Sequence, residues 1–181
     1  MTMRNSILAL PVLALISACD PISEEQCKGG NWAGIGLSDG KNGRSASVLD
    51  EYAATCGEIG ISPVRADYLR GRSEGLVFYC TPANAYQIGR EGGRINNVCT
   101  PEAQAAMVVP FNRGEDYHEL SEAMDDKRDE INALQSRLSE FPATPDVNQT
   151  AEIASIKARI AELDRRIFRL SLERRRYARW P

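Results

Sequence analysis

A chain of 181 residues with 22 basic and 25 acidic side chains carries a net charge of -3, which gives no reason to expect a nucleic-acid partner. Its length suffices for one modest core plus an appendage.

The chain opens on a short segment with one cation, Arg4, followed by an apolar run from Ile7 to Ile16 and by the small residues Ser17 and Ala18. This is the layout of a secretory signal peptide over residues 1–18. The run is far short of the roughly 20 apolar residues that span a bilayer, so no transmembrane helix is expected. Ile16-Ser17-Ala18-Cys19 resembles the lipobox of bacterial lipoproteins, an aliphatic and two small residues before a lipid-accepting cysteine. The resemblance implies cleavage before Cys19, a thioether-linked diacylglycerol on its sulfur and an acyl chain such as palmitate on its amine. The alternative is a cleaved signal with an unmodified cysteine. Several acyl chains, at about 0.8 kcal/mol per buried methylene, anchor stably where one does not. The expected location is the cell envelope, membrane-bound and facing the periplasm. Asp20 after the cysteine favours the inner membrane and Pro21 blurs that rule, so the choice of membrane is left open. Residues 19–26 are expected to form the lipidated tether.

Four cysteines remain, Cys27, Cys56, Cys80 and Cys99, an even set for an oxidising compartment. Their spacing lacks the close pairs of zinc or thioredoxin-like sites, so no metal is expected. Three disulfide connectivities are open, of which Cys27–Cys56 with Cys80–Cys99 closes the shorter loops.

Residues 27–114 read as a cysteine-stapled helical domain. Val48, Leu49, Tyr52 and Ala53 have helical spacing within a segment from Ser47 to Cys56. Ser62-Pro63, Thr81-Pro82 and Thr100-Pro101 recur every 19 residues and each reads as the start of a short helix. An aromatic residue precedes glycine by three positions in Tyr68/Gly71, Tyr86/Gly89 and Phe111/Gly114, which points to close helix packing. Gly89 to Arg94 is rich in glycine and arginine, but lacks a preceding strand and G-K-[ST], and reads as turn glycines rather than a phosphate loop.

The ordered motifs Trp32 to Gly40, Tyr68-Leu69-Arg70-Gly71-Arg72 with Gly75-Leu76 and Tyr79-Cys80, then Asn84 to Arg90 and Val98-Cys99, resemble the proteobacterial lipoproteins of domain-of-unknown-function family 2799. That resemblance implies an envelope location and an architecture, with no catalytic residue to carry over. Asp39, Asp67, Arg72, Arg90 and Arg94 are the candidates for a groove binding an anionic glycan or lipid head group. Caps, ion pairs and solvated surface are the competing reading.

Residues 115–181 read as an antiparallel helical hairpin or coiled coil. The first seam places Tyr117, Met124, Ile131 and Leu138 at a, with Leu120, Lys127, Leu134 and Phe141 at d. The second places Ile153, Ile160, Ile167 and Arg174 at a, with Ile156, Leu163, Leu170 and Tyr177 at d. Folding near Val147 pairs all of them in one register, with Pro142 and Pro145 stopping the first helix and Thr150 capping the second. Expected flanking pairs are Glu130 with Arg166 and Arg128 with Asp164, while Arg137 falls opposite Arg159. The acidic start of the first helix should lie beside the arginine-rich run from Glu173 to Trp180, taking up part of its field.

The fold class is therefore all-α, a small disulfide-stapled helical domain followed by the hairpin. No cofactor is expected beyond the lipid on Cys19. His118, the only histidine, lies on the solvated flank of the first hairpin helix with no nucleophile or metal motif around it, so no enzyme is expected. The function expected is a structural or interaction role, the hairpin meeting an envelope protein or a second copy. The alternative is a periplasmic binding module for an envelope glycan or lipid head group.

Overall fold

The computed structural model describes residues 21–180, so Cys19 and the signal-like segment lie outside the described residues. In chain order the helices are α1 (Glu24–Gly29), α2 (Trp32–Lys41), α3 (Val48–Gly57), α4 (Arg65–Tyr79), α5 (Pro82–Arg90), α6 (Pro101–Ser139) and α7 (Val147–Arg174), then a 3-10 turn Arg175–Tyr177. The described residues contain no strand. None of their helices is long and apolar enough to cross a membrane.

Two disulfides, Cys27–Cys56 and Cys80–Cys99, each with Cα atoms 5.6 Å apart, are the connectivity with the shorter loops. Each contributes roughly 3 kcal/mol in the chain-entropy model. The first ties α1 to the end of α3, inside a core of Ile22, Cys27, Trp32, Leu49, Tyr52, Cys56 and Tyr68. The second joins the residues just before α5 and α6, over a smaller core of Tyr79, Ala85 and Met107.

Between these clusters the helices pack in parallel pairs with almost no side chain between them. A Cβ built on Gly71 would overlap the carbonyl oxygen of Ala33, and one on Gly75 that of Leu37. In return, Gly36 faces the carbonyl of Tyr68 and Gly40 that of Arg72. Position rises together in both helices, so α2 and α4 run the same way, with α3 as the crossover. The α5/α6 pair repeats the arrangement, with Gly89 against the Phe111 carbonyl and Gly114 against that of Tyr86. The spacing of aromatic residue and glycine thus marks the packing seams, as expected.

Three local expectations need correction. Ser62 caps nothing, because α4 begins at Arg65 behind Val64. Pro63 biases the residue before it toward extended backbone, and Ile61 packs on the first core. Thr81 and Thr100 do cap, accepting from the N–H groups of Asn84 and Ala103. The helix starting at Pro101 is not short, for it runs 39 residues through the 114/115 position taken as a domain boundary. Gly114 lies within it, its bare Cα packed against α5.

The hairpin joins α6 to α7 through residues 140–146. All sixteen seam positions named above are buried or half-buried, with Met124, Ile131, Ile156 and Leu163 buried. The N-cap of α7 is Asp146, not Thr150; Asp146 and Gln149 form a reciprocal capping box. The flanking ion pairs also differ. Glu130 meets Arg159 at 2.8 Å, Arg137 meets Glu152, Arg128 meets Asp125 and Arg166 meets Glu162. Long arginines reach about a turn along the facing helix or along their own, and Arg137 and Arg159 each find a carboxylate instead of each other.

Gly71→Ala should cost about 1–3 kcal/mol through forced separation of α2 and α4. Gly57→Ala, where a Cβ meets nothing within 4 Å, should change stability by less than about 1 kcal/mol. Urea unfolding midpoints of the two oxidised variants measure the difference.

Candidate functional site

Asp39 is the buried charged residue of the described chain, 6% exposed, on the inner face of α2. Its Oδ2 accepts hydrogen bonds from the hydroxyl of Tyr52 at 3.0 Å and of Tyr68 at 2.9 Å. Arg44, in the loop after α2, donates to the Tyr52 oxygen at 2.7 Å and approaches Asp39 Oδ1 at 3.7 Å. The Arg44 carbonyl in turn accepts from Nε and a terminal nitrogen of Arg72. Four elements thus converge on one carboxylate: α2, the following loop, α3 and α4.

Burial raises the pKa of the Tyr52 hydroxyl, and hydrogen bonding to the Asp39 carboxylate raises it further. The same causes in the same order lift Tyr68 well above the ordinary tyrosine range. The Tyr52 hydroxyl, with its hydrogen bond, holds Arg44 above its ordinary value against the cost of burial. The two tyrosine rings meet edge to face with centroids 6.2 Å apart, which fixes both hydroxyls toward Asp39.

A cavity of about 350 Å³ opens beside this cluster, lined on one side by Pro21, Ile22 and Ile35 and on the other by Ser38, Asp39, Asn42, Arg44 and Tyr52. Ile22 is 3% exposed, and Ser23 caps α1 with a reciprocal bond to Gln26. Residues 21–26 are therefore part of the folded domain rather than a tether.

The five residues nominated from sequence do not line one groove. Asp39 is the buried acceptor and Arg72 steadies Arg44 from behind. Asp67 pairs with Arg70 on the surface of α4 at 2.8 Å. Arg90 lies over the Tyr117 ring at 4.2 Å and donates to the Ala178 carbonyl. Arg94 is exposed beyond the end of α5. Tyr52 and Arg44 were missed as site residues. Tyr52 was legible only as a core position of α3, and Arg44 sits in a loop whose course no periodicity encodes.

A second constellation closes the base of the hairpin. Tyr117 is flanked by Arg90 and by Arg174 at 5.0 Å, and Arg174 also donates to Ser121 at 3.0 Å. The carbonyls of Arg176, Tyr177, Ala178 and Arg179 accept from Arg113, Tyr86, Arg90 and Arg113 respectively. Two arginines and a tyrosine hydroxyl from α5 and α6 thus tie down the 3-10 turn and the tail that follow α7. The tail is held by these bonds, not by the acids of α6. His118 is half-buried and packs beneath Gly92, whose φ of 71° suits glycine, so its flank is not the solvated one expected. The 89–94 segment follows the C-terminus of α5, the wrong helix end for an anion.

These features define an all-α, disulfide-stapled domain of parallel, glycine-packed helix pairs around a buried aspartate. Residues 31–116 match the family model described as Protein of unknown function (DUF2799). The match takes in the Asp39 cluster and both glycine seams, and it leaves the hairpin outside. No curated protein and no solved structure matches the chain.

Alkaline titration should expose the cluster. Below the ordinary tyrosine pKa of about 10 both folded and unfolded chains hold these protons. Above it the unfolded chain releases them first, so stability falls as pH rises through the raised folded values. Absorbance at 295 nm should show two of the six tyrosines ionising late, together with loss of the helical circular dichroism. Asp39→Ala should cost about 1–3 kcal/mol for each hydroxyl left unpaired, measurable by urea unfolding at neutral pH.

Proposed function

We propose that the protein is a lipid-anchored, non-enzymatic component of the cell envelope that holds a helical hairpin away from the membrane to engage an envelope protein or a second copy. The supporting observation is the continuity of α6. One helix begins in the cysteine-stapled domain and runs 39 residues to the hairpin turn, about 58 Å at 1.5 Å per residue. The first described residues, Pro21 and Ile22, belong to the α1–α4 layer, where Ile22 enters the first core. Cys19 stands two residues before Pro21, and the chain spans at most about 3.6 Å per residue. A lipid on Cys19 would therefore hold the α1–α4 layer against the bilayer surface. The hairpin would project from it, with Val147 85% exposed at the turn.

Cys19→Ala should move the protein from the membrane to the soluble fraction on fractionation; retention at the membrane would refute the anchor. A photo-crosslinking residue at position 147 should capture one discrete partner or a dimer, and the same probe at the exposed Glu58 of the stapled domain should not. Equal capture at both positions would remove the hairpin from the role proposed.

A further inference from the structure

The cavity beside Asp39 has an asymmetry that a purely structural ion cluster does not need. Both tyrosine hydroxyls go to Oδ2. Oδ1 receives no hydrogen bond from the described residues and has Arg44 Nη1 only at 3.7 Å. No fully enclosed side-chain polar atom lacks a partner, so Oδ1 reaches open space, and Asp39 lines the cavity. The carboxylate bearing it is 8% exposed. A deeply buried anion with one oxygen free of hydrogen bonds among the described residues thus forms part of the wall of a concave site.

Arg44 supplies the opposite charge on the same wall. Only its Nη1 is engaged by a side chain, with Tyr52, and the group is 49% exposed. Its remaining guanidinium donors meet no acceptor among the described residues. Its backbone is fixed twice, by its own N–H to the Asp39 carbonyl and by Arg72 on its carbonyl. A guanidinium held in place with free donors suits a phosphate oxygen pair, and a buried carboxylate oxygen suits an N–H donor. Ser38, Asn42 and Gln26 add neutral polar groups at the rim.

We propose that this cavity binds a zwitterionic ligand carrying a primary ammonium beside a phosphate, as in a phosphoethanolamine group, with the ammonium on Asp39 Oδ1 and the phosphate on Arg44. A cavity of about 350 Å³ is at the small end of ligand sites, which suits a head group rather than a whole lipid. The chemistry follows from the two charges and does not depend on the anchor. The source as a membrane lipid rests on the anchored reading, because Pro21 and Ile22 form part of the wall.

The test uses the oxidised chain from residue 19 onward with Cys19→Ala, unacylated but with every cavity residue intact. Titration by calorimetry and amide NMR should show O-phosphoethanolamine binding at least tenfold tighter than phosphocholine, whose quaternary nitrogen has no N–H for Asp39. Inorganic phosphate should be weaker by a similar factor. Ser38→Phe, which fills the cavity without touching the Asp39–tyrosine bonds, should abolish binding at an unchanged thermal midpoint. Asp39→Asn should erase the preference for the primary amine.

Equal binding of the three probes, no binding of any, or binding that survives Ser38→Phe would overturn the proposal. Co-sedimentation with phosphatidylethanolamine vesicles but not phosphatidylcholine vesicles would assign the ligand to lipid. Binding of the soluble probe alone would assign it to a free solute, with the ammonium–phosphate chemistry still supported. Since this chain carries no anchor, failure here leaves the Cys19 fractionation result untouched.

Discussion

Helix backbones that touch each other set the terms for the rest of this molecule. Where Gly36, Gly40, Gly71 and Gly75 interlock, α2 and α4 approach until each glycine rests on a carbonyl of the other helix. Such packing excludes side chains from the seam and leaves little apolar area to bury there, so stability must come from elsewhere. It comes from the two cores at the margins and from the two disulfides. The same close approach brings Tyr68 on α4 within reach of Asp39 on α2.

The buried aspartate follows from that geometry. A carboxylate in a core needs its charge answered, and here two phenols and a guanidinium share the task. Three of the four groups come from different helices, so the cluster also fixes how α2, α3 and α4 sit against one another. The ligand proposed for the adjoining cavity uses the one oxygen that this structural duty leaves spare.

Much of the fold could be read in advance, because the informative signals were local. Thr81-Pro82 and Thr100-Pro101 start helices through a cap and a preset φ, and the 3.5-residue seam of the hairpin repeats often enough to fix its register. The misreadings share a cause. Ser62-Pro63 has the same letters as the other two phrases, yet the burial of Ile61 carries the chain past it before α4 begins. The helix from Pro101 was expected to be short, yet a neighbouring helix 25 positions earlier in sequence, at Gly89, packs on Gly114 and the helix runs on. The candidate site was half legible: Asp39 stood out as a charge among glycines, whereas Arg44 and Tyr52 join it through tertiary approach alone. The exchange of flanking ion pairs has a similar origin, since arginine length lets each guanidinium choose among carboxylates a turn apart.

Pro110 lies buried inside α6, one turn before Gly114 packs against α5. It lacks the N–H that would bond back to Ala106, so the longest helix has one missing rung within the stretch that α5 supports, which reaches to Tyr117 beneath Arg90. In mechanical terms α6 is a lever whose notch is splinted by α5. A load at the turn would be carried without loss along the paired shafts of α6 and α7. It would enter the stapled domain through the glycine seam of α5 and α6, which spans the weak rung.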